Sequence, residues 1–209
     1  MQKYNTIPNL IFDFGGVLLN INPQRAVDSF KKIGLTDTEL VKKEYQHNGL
    51  FDLLEKGFLT PAQFRSELRK YISRTVTDQE IDEAWNSMLL DLPWERLNLL
   101  SHLRKNHRVF LLSNTNAIHW EAYTSKIKNV HGVQLSSFFE KDYYSHQMGL
   151  RKPDTKIYTT VLEMEGLKAS ETLFIDDVLV NVKAAQSVGM KIHHLNLEKG
   201  ESILDLFKN

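Results

Sequence analysis

The amino-acid sequence contains no cysteine, which excludes disulfide bonds, thiolate metal sites and cysteine nucleophiles. It also lacks an excess charge of either sign, because 26 Lys and Arg residues balance 26 Asp and Glu residues. Without a net charge, no overall electrostatic field attracts nucleic acid or an anionic membrane. An anionic ligand would therefore have to be held by local groups.

Long apolar runs are absent as well, since no stretch approaches the roughly 18 apolar residues of a membrane-spanning helix. The opening residues, MQKYNTIPNL, carry one Lys and no apolar segment of the kind found in a secretory signal peptide. We therefore expect a cytoplasmic protein. The sequence predicts no membrane, nucleic-acid or obligate protein partner.

Short apolar runs alternate with helical segments along most of the chain. The runs are typical of buried strands, and the segments between them show helical spacing and end at glycines such as Gly166 and Gly189. Strands that alternate with helices predict an α/β fold with a doubly wound, mostly parallel sheet. The expected strands are 9–14, 108–112, 142–146, 172–176 and 191–195, and the expected helices are 93–105, 154–166 and 178–188.

Residues 23–91 interrupt this alternation, because they contain no convincing strand. Three helix-start signatures of the capping-box type fall here, in which a Thr is followed three residues later by Glu or Gln. They are Thr36 with Glu39, Thr60 with Gln63, and Thr77 with Glu80. We predict a helical cap over residues 21–91, inserted into a core of residues 1–20 and 92–209, that could close over a ligand as a lid.

Polar residues stand just past the predicted strands, where ligands bind in open parallel sheets. They are Asp13 with Gly15 and Gly16, Ser113 with Asn114, Lys152, and Asp176 with Asp177. Adjacent carboxylates at a buried strand end are costly unless a cation offsets their charge, and Mg²⁺ prefers such oxygen ligands. Asp176 and Asp177 therefore predict a magnesium site, to which Asp13 on the neighbouring strand would add a carboxylate.

These residues also have ordinary structural explanations. The acidic pair could be an exposed acid and the N-cap of the next helix, and Ser113 or Asn114 could cap the helix that follows them. A loop Lys such as Lys152 is usually a solvated charge, and its neighbour Arg151 is expected to have no role.

Asp13 could be an acid in a turn whose glycines provide positive φ angles, but it is also the candidate nucleophile. A glycine loop such as Gly15-Gly16 exposes backbone N–H groups and lets a phosphate approach the chain closely. The Asp13 carboxylate could then attack phosphorus and form an aspartyl phosphate, while a metal ion and Lys152 neutralise the phosphoryl oxygens. Ser113 and Asn114 offer a hydroxyl and an amide to the same group.

Four motifs, taken in order, resemble the haloacid dehalogenase superfamily: LIFDFGGVLL, FLLSNTN, GLRKPD and LFIDDVLVN. The resemblance spans roughly residues 9–196. It implies a Rossmann-like core with an inserted α-helical cap, and Mg²⁺-dependent hydrolysis of a small phosphorylated metabolite. The stretches LSNTN, GLRKPDTKIY and DFGGVLLNIN resemble the helical-cap phosphatases that include bacterial alpha-D-glucose-1-phosphate phosphatase and the N-terminal phosphatase domain of epoxide hydrolase.

The resemblance also implies a role for each residue of the motifs. Asp13 resembles the catalytic nucleophile, and Lys152 resembles the cation that assists it. The implied metal ligands are Asp13, Gly15 through its backbone carbonyl, Asp176 and Asp177, and the implied phosphate-binding residues are Ser113, Asn114 and Lys152.

Gly15 is a departure from the family pattern. Related phosphatases usually carry a second Asp there, which protonates the leaving oxygen and later activates water; such acid–base help is worth about 10²–10⁴-fold. The sequence therefore predicts a slow enzyme, a good leaving group or a substitute acid. His47 and Glu55 of the cap are the candidates, although a surface position for His47 and a turn cap before Gly57 for Glu55 explain them more simply.

Two other functions stay open. Without the second Asp, the protein could be a weak or inactive relative that only binds a phosphorylated ligand. A haloacid dehalogenase would instead use Asp13 to attack carbon and an Arg from the cap, for which Arg25 and Arg65 are available. The acidic pair argues against this reaction, because such enzymes generally need no metal.

Overall fold

The computed structural model describes Tyr4 and residues 6–37 and 49–208. Its parallel sheet has the strand order β3-β2-β1-β4-β5. The chain thus moves outward from the central strand in one direction, then returns and moves outward in the other, which confirms the predicted doubly wound α/β fold. The strands are β1 (Asn9–Phe12), β2 (Arg108–Ser113), β3 (Lys141–Tyr144), β4 (Thr172–Asp176) and β5 (Lys191–His194).

The helices lie between these strands and in the stretch after β1. In chain order they are α1 (Pro23–Lys32), α2 (Leu50–Glu55), α3 (Pro61–Arg69), α4 (Asp78–Asn86), α5 (Trp94–Leu103), α6 (Ala117–His131), α7 (Ser145–Met148), α8 (Thr155–Met164), α9 (Leu179–Ser187) and α10 (Ile203–Leu206). Short 3₁₀ turns cover Leu135–Phe138, Ala169–Glu171 and Leu197–Lys199. The run expected as a strand at 142–146 forms β3 one residue earlier, and its last two residues begin α7. No helix in the described part of the chain has the length and apolar character needed to cross a membrane.

Both faces of the sheet are buried under helices. Because side chains alternate along a strand, Leu10 and Phe12 of β1 join one hydrophobic cluster and Ile11 joins another. Helices α5 and α6 contribute to the first cluster, and α8 and α9 contribute to the second. A strand buried on both faces is apolar along its whole length, which is why these strands could be predicted from continuous runs.

Helices α1 to α4 share a separate hydrophobic cluster. Phe30, Phe51, Phe64 and Trp85, one from each helix, pack their rings together, with Phe51 and Trp85 only 4.8 Å apart between centroids. This cluster supports the division into a core of residues 1–20 and 92–209 and a cap over 21–91, and the boundaries stay a prediction.

Two of the three predicted capping boxes begin cap helices. The Thr60 hydroxyl accepts from the backbone N–H of Gln63, whose side chain accepts from the Thr60 backbone, and α3 starts there. Thr77 and Glu80 form the same pair at the start of α4. The box at Thr36 requires Glu39, which lies outside the described residues.

Cap and core are joined by two segments that run side by side. The backbone N–H of Asn20 donates to the Asp91 carbonyl, and that of Leu90 donates to the Asn20 carbonyl, each at 2.9 Å. Ile21 and Leu89 form an antiparallel bridge next to them. The cap is therefore attached close to the end of β1, where the polar residues of the sheet edge begin.

Candidate active site

Three neighbouring strands end in polar residues at one edge of the sheet. Asp13 directly follows β1, Ser113 ends β2 and Asp176 ends β4. Phe12 pairs with both Leu111 and Ile175, so the three strand ends are nearly level. Because the strands are parallel, these ends form a single site, as the pattern of strands predicted.

Asp13, Asp176 and Asp177 form a carboxylate cluster, in which one oxygen of each lies within 4.8 Å of the others. The pKa of Asp13 is raised to about 7, first by burial and then by the neighbouring acids, while Lys152 acts in the opposite direction. Burial and the charge of Asp176 likewise raise the pKa of Asp177 to about 6. Both shifts reflect carboxylates that are removed from water first of all, and that lie beside other acids as well.

This cluster fits a magnesium ion. Among the described residues, Oδ1 of Asp177 is buried without a hydrogen-bond partner, which is costly for a carboxylate oxygen. A divalent cation would give that atom a partner and offset the acidic charge. The alternative of an exposed acid and a helix cap is wrong, since Asp176 is fully buried and Val178 is the N-cap of α9. The assignment of Asp13, Asp176, Asp177 and the carbonyl of Gly15 as ligands stays a prediction.

Lys152 lies inside the cluster rather than in solvent. Its side chain is 1% exposed, and Nζ donates to Asp13 Oδ1 at 2.7 Å, to Asp176 Oδ2 at 2.7 Å and to the Leu112 carbonyl at 2.9 Å. Burial lowers the pKa of Lys152, but the charges of Asp13 and Asp176 more than reverse this and raise it above its ordinary value. The alternative of a solvated loop charge is therefore wrong.

Ser113 and Asn114 line the site, but neither caps the following helix. Asn116 is the N-cap of α6 and accepts from the backbone of His119. The Asn114 amide instead donates to the Lys152 carbonyl and accepts from the Lys152 backbone N–H, both at 2.9 Å. Asn114 thus positions the loop that carries Lys152, and phosphate binding by Ser113 and Asn114 stays a prediction.

Gly16 has to be glycine for two reasons. Its φ of 81° lies in the left-handed region, which side chains disfavour. A Cβ at this position would also overlap the Asp177 carboxylate. The close approach of the turn to Asp177 therefore depends on the missing side chain.

Asn181, the last residue of the motif LFIDDVLVN, is a site residue to which the sequence assigns no role. Its Nδ2 donates to both Asp176 oxygens, at 3.2 and 3.1 Å, and the backbone N–H of Val178 donates to Asp176 Oδ1 at 2.7 Å. His194 contacts the Asp177 carbonyl at 2.9 Å. The position of Asn181 in the first turn of α9, just after the acids, was the signal that could have found it. His194 belongs to another strand and had no such signal.

A cavity of about 650 Å³ opens above the cluster, between core and cap. Asp13, Lys152 and Asp177 line its floor, and the cap adds an apolar wall. The wall residues are Ile21, Pro23, Ala26, Val27, Trp85, Met88 and Leu89. The site can therefore take a small anionic group at its floor and a partly apolar remainder above it.

Glu55 and Arg151 supply charged groups to the same cavity. Arg151 forms ion pairs with Glu55 and with Asp52, both at 2.9 Å, and Glu55 is only 8% exposed. The expectation that Arg151 has no role is wrong, as is the simple turn cap suggested for Glu55. His47 lies outside the described residues.

The two cap arginines considered for dehalogenation stand elsewhere. Arg25 is exposed, and Arg65 is held by Asp82 on the cap at 2.6 and 2.8 Å. Neither belongs to the described residues that line the cavity. The geometry therefore favours metal-assisted chemistry on a phosphate ester over attack on carbon.

Comparison with known proteins agrees with this site. Residues 7–189 match the model of the haloacid dehalogenase-like hydrolase family. The chain is 34% identical to D-ribitol-5-phosphate phosphatase of Bacteroides thetaiotaomicron over 185 residues, which cover 88% of this chain and 90% of the relative. It is 27% identical to the sesquiterpene phosphatase astK of Aspergillus oryzae, over 91% of this chain and 90% of that protein.

Solved structures show the same relationship. The crystal structure of HAD family enzyme BT-2542 from Bacteroides thetaiotaomicron, in complex with magnesium and inorganic phosphate, superposes with a TM-score of 0.87 at 40% identity. The match covers 97% of this chain and 100% of that one. The fold and the superfamily predicted from the four motifs are confirmed. The chain belongs to the haloacid dehalogenase-like hydrolase family.

Proposed function

We propose that the protein is a magnesium-dependent phosphatase that hydrolyses a small phosphate monoester through an aspartyl phosphate on Asp13. The observation that carries this proposal is the cluster of Asp13, Lys152, Asp176 and Asp177, of which Asp13, Lys152 and Asp177 line the floor of one cavity. The names of the relatives and the magnesium and phosphate bound by BT-2542 support the same reaction class.

The first step transfers the phosphoryl group to Asp13. A carboxylate oxygen of Asp13 forms a bond to phosphorus while the bond from phosphorus to the ester oxygen breaks. Lys152 stabilises negative charge at the phosphoryl oxygens, and Ser113 and Asn114 border the same space. Asp13, Asp176 and Asp177 would hold a Mg²⁺ ion, which would supply positive charge to offset that of the phosphoryl group and of these acids.

The second step releases phosphate. Water attacks phosphorus, the bond from phosphorus to Asp13 breaks, and the carboxylate is restored. Asn181 and the backbone of Val178 keep Asp176 in place through both steps, since their donors occupy its oxygens.

The proposed substrate is a small phosphorylated metabolite of sugar-phosphate size. The relative that acts on D-ribitol 5-phosphate supports a sugar or polyol phosphate, and Arg151 would give its hydroxyls a polar partner. The sesquiterpene phosphatase relative and the apolar wall indicate that hydrocarbon groups are tolerated beside them. We propose a cytoplasmic location, which fits substrates of this kind.

A panel of sugar, polyol, aryl and alkyl phosphates tests this function, with phosphate release measured in Mg²⁺ and in EDTA. We expect turnover only with Mg²⁺, and loss of turnover to background in Asp13→Asn. Asp205→Asn is the matched control, since Asp205 is an exposed acid that contacts Lys208 and is not among the described residues that line the cavity. Equal activity of Asp13→Asn and wild type would exclude the mechanism. Ligand binding without any turnover would favour the non-catalytic alternative, and halide release without Mg²⁺ would favour dehalogenation.

A further inference from the structure

Hydrolysis of an ester requires a proton for the leaving oxygen, and Gly15 has no side chain to supply it. The geometry points to Glu55 of the cap as the general acid that protonates the leaving oxygen and the general base that then activates water. This inference rests on the phosphatase function proposed above.

Glu55 is held at the cavity by contacts between cap and core. Helix α2 ends at Glu55, and the turn after it packs so closely on the core that a Cβ at Gly57 would overlap the carbonyl oxygen of His146. Arg151, next to Lys152 in the chain, ties α2 to the core through Asp52 and Glu55. The Glu55 carboxylate is therefore positioned before a substrate arrives, as acid–base catalysis requires.

The other titratable side chains of the cavity are poor candidates. Burial lowers the pKa of His119 to about 4, so at neutral pH it lacks the extra proton of an imidazolium. Burial raises the pKa of Tyr123 well above its ordinary value, which makes it a weak acid and leaves no base for the second step. Asp13, Asp177 and Lys152 belong to the nucleophile and metal cluster. Among the described cavity residues, this leaves Glu55 as the carboxylate available for proton transfer.

The surroundings of Glu55 suit both of its protonation states. Burial raises its pKa, the charges of Arg151 and Lys152 lower it, and that of Asp52 raises it again, with a net shift upward. Within the described structure, Arg151 approaches Oε2 at 2.9 Å and no hydrogen bond engages Oε1. Oε1 can therefore carry and deliver the proton, while Arg151 stabilises the carboxylate that remains.

The protons balance over the two steps. As the bond from phosphorus to the ester oxygen breaks, the proton of Glu55 moves to that oxygen and the alcohol leaves. The Glu55 carboxylate then takes a proton from the water that attacks the aspartyl phosphate. Release of phosphate leaves Glu55 protonated and Asp13 ionised, as at the start.

A series of phosphate monoesters that differ in the leaving group tests this role. The leaving group of butyl phosphate is a strongly basic alkoxide unless an acid protonates it. The leaving group of p-nitrophenyl phosphate is p-nitrophenolate, a stable anion that needs little protonation. We expect Glu55→Gln to lower kcat/KM for butyl phosphate by about 10²–10³-fold and to change that for p-nitrophenyl phosphate only a few fold. The value of kcat/KM reports the reaction up to the step in which the alcohol leaves, so a slow release of phosphate afterwards does not affect it.

Asp52→Asn is the matched control. Asp52 binds the same arginine but does not line the cavity. If Glu55 only anchored Arg151 and the cap, Asp52→Asn would reproduce the effect of Glu55→Gln, and both variants would slow all esters equally. The inference is overturned if Asp52→Asn has the same effect as Glu55→Gln. It is also overturned if Glu55→Gln slows all esters by the same factor.

Glu55→Asp keeps the inference testable if Glu55→Gln does not fold. Aspartate retains the acid but is one methylene shorter, so we expect it to slow butyl phosphate more than p-nitrophenyl phosphate, by a smaller factor. Equal slowing of both esters would overturn the inference here too. If wild type hydrolyses no ester of the series, the proposed function fails; if it does and the variants show no dependence on the leaving group, only the role of Glu55 fails.

Discussion

Replacement of Lys152 by methionine would test whether this residue holds the acidic cluster together. The ammonium of Lys152 is buried and lies 2.7 Å from both Asp13 and Asp176. Methionine has a similar length and no charge, so Lys152→Met removes both ion pairs with little change in packing. The two carboxylates would then remain buried without their cation.

The expected cost follows from the burial of the pair. Removing one partner of a buried ion pair costs about 3–5 kcal/mol, because the remaining charge is left uncompensated. The acids can escape part of this cost by taking up protons. A carboxyl whose pKa is raised in the folded state binds its proton more tightly there than in the unfolded chain, so its contribution to stability decreases as the pH rises. The pKa of Asp13 is already raised to about 7 and would rise further in the variant. The loss should therefore be larger at pH 8 than at pH 5.

Urea denaturation in EDTA at the two pH values measures this cost. Lys70→Met is the matched control, since Lys70 and Glu67 form an exposed pair of the kind worth less than about 1 kcal/mol. Addition of Mg²⁺ should return part of the stability of Lys152→Met, because the ion compensates the same carboxylates. If the free energies of unfolding of Lys152→Met and wild type differ by less than about 1 kcal/mol at pH 8, the reasoning from buried charge is refuted.

Two further substitutions probe other parts of the site. Burial lowers the pKa of His119 from 6.5 to about 4, so the folded state resists protonation of this side chain. As the pH falls from 6.5 to 4, the free energy of unfolding of wild type should therefore decrease by up to about 3 kcal/mol more than that of His119→Phe. If urea titrations show a constant difference in unfolding free energy between the two proteins from pH 7 to pH 4, this prediction is wrong. Gly16→Ala should reduce both Mg²⁺-dependent activity and stability more than Gly132→Ala does. Both glycines have a positive φ, but only an added Cβ at Gly16 would meet Asp177. Equal changes in melting temperature and equal activities of the two variants would show that the close approach of Gly16 to Asp177 is unimportant.

Local rules predicted much of this structure. The strands were recognised because burial on both faces makes them continuously apolar, and α3 and α4 begin at capping boxes formed by residues three apart. The strand ends were expected to share one edge because parallel strands end on the same side, and Asp13 does lie beside Asp176 there. These inferences need only neighbours in sequence and one rule of sheet topology.

Contacts between distant residues escaped prediction. The amide of Asn114 holds the Lys152 backbone, 38 residues away, a contact that no motif predicted, while its role in phosphate binding stays a prediction. Arg151 was expected to have no role, and it ion-pairs with cap acids, Asp52 among them 99 residues away. No spacing rule connects such positions, because their meeting depends on how the cap packs on the core.

The sequence by itself determined the family, the sheet and the acids and lysine that gather at its edge, because each depends on residue type and local order. Only the tertiary structure decided that Lys152 is buried between two carboxylates and that Glu55 is part of the cavity wall. The physical reason is that burial and charge pairing are properties of the folded surroundings: the same Lys or Glu is an ordinary solvated group until long-range packing removes its water and sets a partner beside it.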